Sequence, residues 1–192
     1  MVVDVIAESK TETRAKSTEF SRKSVYFVVG AEGSGTYMLS EALVAAGCVY
    51  DGRMESDDFP FREYWKTKDA NYVVRRSLPH AGIWPNSMKI TEAAIHNGYL
   101  LHVIAIIRNG HSAYQSVIRR DPERNRANIK QNQIFSLSAI SSLFSRSGGT
   151  PTIITYEAFV GSKSFRKWLF DARLGLYYPE DFEVYDGNDK YY

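Results

Sequence analysis

The stretch Val28-Val29-Gly30-Ala31-Glu32-Gly33-Ser34-Gly35-Thr36-Tyr37, VVGAEGSGTY, joins two different hydrophobic patterns. Upstream, Ser24 to Val29 (SVYFVV) is an uncharged β-branched and aromatic run, the composition of a short strand buried on both faces. Downstream, Met38, Leu39, Ala42, Leu43 and Ala46 recur at three- and four-residue spacing, one face of a helix that Gly47 can end. A strand that runs into glycines and leaves them as a helix is the setting of an anion-binding loop. Backbone N–H groups converge on the ligand there, with the positive end of the helix behind them. Gly33 and Gly35 let the backbone approach closely, Ser34 and Thr36 add hydroxyls, and Tyr37 lies in the first helical turn. A plain tight turn between strand and helix is the alternative.

Outward from this stretch, strand-like and helix-like segments alternate. Cys48 to Gly52 (CVYDG) reads as a short strand, and residues 57–71 as an irregular insertion. The segment SMKI before Thr91 reads as a further strand, with Thr91 capping the helix EAAIHNGY. Leu100 to Ile107 (LLHVIAII) is a second strong buried strand. Arg108-Asn109-Gly110 turns the chain into a helix from His111 to Arg120, which Pro122 stops. A helix over 129–144, a strand in PTIITY from Pro151 and a helix over 162–174 complete the pattern, followed by an aromatic, loop-like tail. The alternation predicts an α/β fold of three layers, α/β/α, around a central, mainly parallel sheet. Residues 24–192 are expected to form one domain, and residues 1–23, polar and without periodicity, a mobile arm. In such sheets ligands sit beyond the carboxyl ends of the strands, where both the glycine loop and Arg108 fall.

Bulk composition excludes some classes. The chain has 192 residues, 44% hydrophobic and 24% charged, and a formal net charge of +2, too small to argue for nucleic acid or a membrane surface. The single cysteine, Cys48, lies in an apolar run as a buried bystander and offers no disulfide framework. No segment approaches the ~20 apolar residues of a membrane span. The N-terminus carries Asp4 and no long apolar run, so a cytoplasmic protein is expected.

The loop is not a Walker loop. Gly30 and Gly35 fit the glycines of G-x-x-x-x-G-K-[ST], but Thr36 stands where the lysine belongs, and no acid follows LLHVIAII to hold Mg²⁺. GAEGSGTYML resembles instead the phosphosulfate loop of the sulfotransferases, a pattern close to G-x-P-[RK]-S-G-T-[ST]-x-L. Gly30, Ser34, Gly35, Thr36 and Leu39 match it. IIRNGHSAYQSVIRR is similar to that family's 3′-phosphate motif, R-[ND]-P-x-[DE]-x-x-x-S, through Arg108, Asn109 and Ser116, and departs at Gly110 and Ser112. Chemistry supports the pair independently: a planar guanidinium at a strand end and a hydroxyl about two helical turns on make a clamp for a phosphate dianion. IITYEAF resembles the family's strand ending in Y-E-[DA]-[LF].

The resemblance implies a P-loop nucleoside triphosphate hydrolase-like fold and transfer of a sulfuryl group from 3′-phosphoadenosine-5′-phosphosulfate, without a metal, to a hydroxyl or amine of a small-molecule or carbohydrate acceptor. It implies nucleotide contacts from Gly33, Ser34, Gly35, Thr36 and Tyr37 at the 5′ end, from Arg108 and Ser116 at the 3′-phosphate, and from Tyr156 against the adenine. Family loops place Lys or Arg just before S-G-T; here the position is Gly33, and Lys89 is expected to compensate from the strand before the arginine strand. Thr91 falls where the family's histidine base stands, which leaves Glu32 and His80 among the residues for acid–base work. Arg119 or Arg120, in the basic stretch that follows Ser116, is a further candidate to reach the nucleotide or an anionic acceptor, a solvated loop being the alternative. A nucleotide-binding module without transfer chemistry and a P-loop kinase with an atypical loop are the rival readings.

Overall fold

The computed structural model describes residues 23–50 and 70–190. The expected N-terminal arm, apart from Lys23, and most of the 57–71 insertion lie outside the described residues. Among those described, β1 (Ser24–Gly30), β2 (Val49–Tyr50), β3 (Tyr72–Ser77), β4 (Leu100–Ile107) and β5 (Thr150–Thr155) form a five-stranded sheet in the order β2-β3-β1-β4-β5. Every neighbouring pair is parallel.

The strands alternate their side chains between two apolar layers, as the pleat requires. Val25, Phe27 and Val29 of β1, Tyr72 and Val74 of β3, and Leu101, Val103 and Ala105 of β4 face one side. There they meet Ile90, Ala93 and Ala94 of helix α2 (Ser87–His96) and Ile140 and Leu143 of helix α4 (Arg126–Arg146). Tyr26 and Val28, Val73, and Ile104 and Ile106 face the other side. They pack on Leu39, Ala42 and Leu43 of helix α1 (Thr36–Ala45) and on Phe159 of the short helix α5 (Tyr156–Gly161). Helix α3 (Gly110–Arg120) follows β4. The expected three-layer α/β/α architecture is therefore the observed one.

Three local expectations are corrected. SMKI is not a strand: Ser87 begins α2, and the Asn86 side chain caps it by accepting from the Lys89 N–H. Thr91 is buried within that helix and caps nothing. The strand beside β1 is β3, which escapes a hydrophobicity reading because Arg75 and Arg76 interrupt it. Arg76 is nevertheless buried, with Nη1 donating to the Arg75 carbonyl. The helix expected over 162–174 is divided into α6 (Lys163–Trp168) and a π-helical segment (Leu169–Leu174) that ends at Gly175 in the left-handed region. Buried Arg166 then ties down the tail, donating to the Tyr178 hydroxyl and to the carbonyls of Phe159 and Val160. Among the described residues no helix is long and apolar enough to cross a membrane.

Cys48 packs in the core beside α1, and burial pushes its thiol up to about 12. Thiolate is the reacting form. Native protein at pH 8 should therefore react with Ellman's reagent on the order of a hundredfold more slowly than protein unfolded in guanidinium. Equal rates would contradict the placement of Cys48.

Candidate functional site

In the sheet β1 lies between β3 and β4, with Gly30 paired to Ser77 and Val29 to Ala105. The carboxyl ends of three adjacent strands thus deliver the glycine loop, the Arg75–Ser77 segment and Arg108 to one edge. A cleft of about 350 Å³ opens there. Its walls include Gly33, Gly35, Thr36 and Tyr37 of the loop, Arg108 and Ser116 across from them, and Tyr156. Segments expected to act together from sequence are brought together. The volume falls within the ~300–1,000 Å³ usual for small-molecule sites.

The loop is shaped as an anion cradle. Gly35 is the N-cap residue of α1, at φ 100°, and as a glycine it offers no side-chain cap. The amide N–H groups of the first turn receive no cap from that residue, and a helix start of this kind can take an anion, with the positive end of the helix dipole behind it. Ser34 departs from expectation. The residue is 1% exposed, its Oγ has no hydrogen-bond partner among the described residues, and it borders a second, more apolar cavity of about 580 Å³ rather than the cleft.

The glycines answer to specific neighbours. A Cβ on Gly33 would stand 2.4 Å from the Ala113 carbonyl oxygen of α3, and its φ is 84°. A Cβ on Gly35 would stand 2.5 Å from the Tyr156 ring. The loop is therefore pressed against both α3 and Tyr156, and neither position accepts a side chain without displacement.

Arg108 is fixed at every level. Its Nη1 donates to the Gly33 carbonyl at 3.0 Å, its Nε donates to Asn188 Oδ1 at 2.8 Å, and its guanidinium carbon lies 4.1 Å from the Tyr156 ring centroid. Tyr156 is in turn 3% exposed, and its hydroxyl accepts from the Gly187 N–H at 2.7 Å. Burial raises the pKa of that hydroxyl. Little of the ring is left for the expected contact with an adenine: it packs between Gly35 and Arg108 and carries the guanidinium. Tyr185 and Gly187 line the cleft beside it, from the tail. Glu157 closes the network, accepting from the Asn109 N–H at 2.9 Å and from Asn188 Nδ2 at 3.5 Å.

The residues expected to do chemistry divide. His80 is exposed and lines the cleft. Lys89 is exposed on the first turn of α2 and lines neither cavity, because the strand expected to carry it is a helix. Arg75 and Ser77, at the end of β3, occupy the place it was meant to fill. Glu32 is held by Arg124 Nη1 at 2.7 Å, faces Arg120 Nη2 at 3.8 Å, and accepts from the Ala81 N–H at 3.3 Å. It is committed to these partners and is not a base awaiting a substrate. Among the described residues the cleft lining carries Arg75, Arg108, Arg120 and His80 and no carboxylate. A local cationic field of this kind attracts a multiply charged anion although the whole chain is almost neutral.

Sequence reasoning missed the tail and β3. The cluster Asp186-Gly187-Asn188 was the available signal, since it concentrates turn-forming residues where a short 3-10 segment (Gly187–Lys190) folds back on Arg108. Replacing Gly35 by Ala should destabilise the protein by at least about 1 kcal/mol in urea denaturation, through positive φ and collision with Tyr156. An unchanged midpoint would mean that the loop is not packed on that ring.

No protein-family model matches this chain, and no curated protein matches it. Among solved structures it is similar to one described as the crystal structure of an uncharacterized protein from Eubacterium ventriosum ATCC 27560. The identity is 9% and the TM-score 0.41, covering 70% of this chain and 90% of that one.

Proposed function

We propose that the cleft binds 3′-phosphoadenosine-5′-phosphosulfate and that the protein is a sulfotransferase acting on a hydroxyl or amine of a small-molecule or carbohydrate acceptor. The observation that carries this reading is the meeting of the glycine loop 33–37 with Arg108 and Ser116 in one cationic cleft. The motif resemblance pairs the same segments. A P-loop relationship and a cytoplasmic location belong to the same proposal.

The amides at Gly35 to Tyr37 and the start of α1 would take the 5′ end. Arg108 would present its guanidinium to the 3′-phosphate, held in place by Gly33, Asn188 and Tyr156. Ser116, half-buried on α3, would add a hydroxyl donor. When bound, the donor supplies an activated sulfuryl group, transferred as the bond from sulfur to the bridging phosphate oxygen breaks and the bond to the acceptor forms. His80, the exposed imidazole of the cleft, would take up the acceptor's proton. Fixed amides and guanidinium groups stabilise charge on the departing phosphate without reorganising.

A nucleotide-binding module without transfer chemistry is the second reading. Two observations favour it: the loop has no cation of its own at Gly33, and Glu32 is engaged by Arg124. An atypical kinase is served less well, since Thr36 stands where a lysine would reach the terminal phosphates.

Thermal shift in EDTA tests the nucleotide assignment. 3′,5′-Adenosine bisphosphate at ~100 times its Kd should add about 2.7 kcal/mol of stability, and ATP under the same conditions little. Arg108→Ala should abolish the shift. Ser116→Ala, a milder change, should weaken binding several-fold with the fold intact. A response to ATP that requires Mg²⁺, or a shift that survives both substitutions, would contradict the assignment. Turnover of the sulfo donor with phenolic and sugar acceptors separates the enzyme from the binding module.

A further inference from the structure

Resting on the reading that the cleft holds a phosphorylated anion, we infer that Glu32 is a positioning residue that brackets Arg120 at the cleft, so that Arg120 supplies, in addition to Arg75, a cation that the loop itself cannot carry.

The first step is steric. At position 33 a side chain would begin 2.4 Å from the Ala113 carbonyl oxygen, and the backbone there has φ 84°. A lysine or arginine cannot be mounted on the loop at that point without pushing α3 away. Any cation serving the loop's anion must come from another element.

The second step is positional. Arg120, in the last turn of α3, lines the cleft with Gly33, Gly35 and Thr36. Its Nε donates to the Ser116 carbonyl at 3.1 Å, which holds the guanidinium along the helix toward the cleft. Its Nη2 lies 3.8 Å from Glu32 Oε1, too long for a full hydrogen bond and close enough for steady attraction. The side chain remains 57% exposed and able to turn toward an anion.

The third step concerns what fixes Glu32. Arg124 Nη1 bonds Oε2 at 2.7 Å, and both side chains are about 85% shielded (15% and 14% exposed). The Ala81 N–H reaches the same oxygen at 3.3 Å. One oxygen is thus tied to Arg124 and to the segment after β3, and the other faces Arg120. A carboxylate beside an anion cradle would ordinarily repel the ligand. With Arg120 and Arg124 gathered on it, the group as a whole carries a net positive charge.

The inference makes a prediction of opposite sign to the simple one. If Glu32 is only a nearby negative charge, Glu32→Gln should tighten anion binding. If it is the bracket, Glu32→Gln should weaken it, because Arg120 loses the partner that holds it at the cleft. The measurement is calorimetric titration of wild type, Glu32→Gln, Arg120→Ala and the double variant with 3′,5′-adenosine bisphosphate and, separately, with inorganic pyrophosphate. Expected results are a loss of about tenfold in each single variant, and a double variant no weaker than Arg120→Ala alone. Tighter or unchanged binding in Glu32→Gln, or additive losses, would overturn the inference. Should Glu32→Gln fail to fold, Arg120→Ala leaves the Glu32–Arg124 pair in place, and unchanged affinity there overturns it equally. Wild type that holds pyrophosphate but ignores the bisphosphate would overturn the nucleotide reading and leave the bracket to be judged on pyrophosphate. Wild type that binds neither would overturn both.

Discussion

The Gly33 carbonyl accepts a hydrogen bond from Arg108 Nη1 while the Gly33 α-carbon rests against the Ala113 carbonyl. Most of the site's other features can be traced to this contact. It requires glycine at 33, because any larger residue would separate loop and helix. It leaves the face of the guanidinium to Tyr156 and its Nε to Asn188, so the tail must fold back to the β4 edge. Tyr156 then fills the space beside Gly35, which requires glycine there as well. The loop, the arginine turn, the end of β5 and the tail are therefore one packed unit rather than separate motifs. A cradle preorganised in this way binds without a large ordering cost.

The charge distribution has the same logic. A net charge of +2 gives no hint of an anion site. The parallel sheet nevertheless gathers cations, bringing Arg75 and Arg108, far apart in sequence, to the ends of the strands on either side of β1, while among the described residues no carboxylate lines the cleft. Glu32, the acid nearest the loop's glycines, is drawn aside by Arg124. Composition averages over the whole chain; topology decides which charges face one another.

How much of this could be read from the chain depended on whether the signal was local. β1 and β4 were legible because both are uninterrupted apolar runs, a direct consequence of burial on two faces in a parallel sheet. The loop and Arg108 followed, since each adjoins one of those strands. β3 was not legible: Arg75 and Arg76 break its apolar pattern, and the burial of Arg76 is a tertiary property. The loss of β3 shifted the expected cation to Lys89, which lies in a helix whose start is set by the Asn86 cap. Tyr156 was singled out, but its packing against Arg108 and the tail was not foreseen, because what covers its ring is decided about thirty residues later. The Glu32–Arg124 pair spans 92 residues and has no local signature at all.

The central claim is that one cleft grips opposite ends of a doubly phosphorylated adenosine. A crystal structure of the full chain with 3′,5′-adenosine bisphosphate tests it most directly. The account predicts the 3′-phosphate within hydrogen-bond distance of Arg108 and Ser116 Oγ, and the 5′-phosphate over the amides of Gly35 to Tyr37. A nucleotide bound with its phosphates exchanged, or lodged away from the loop with the cleft empty, would contradict it.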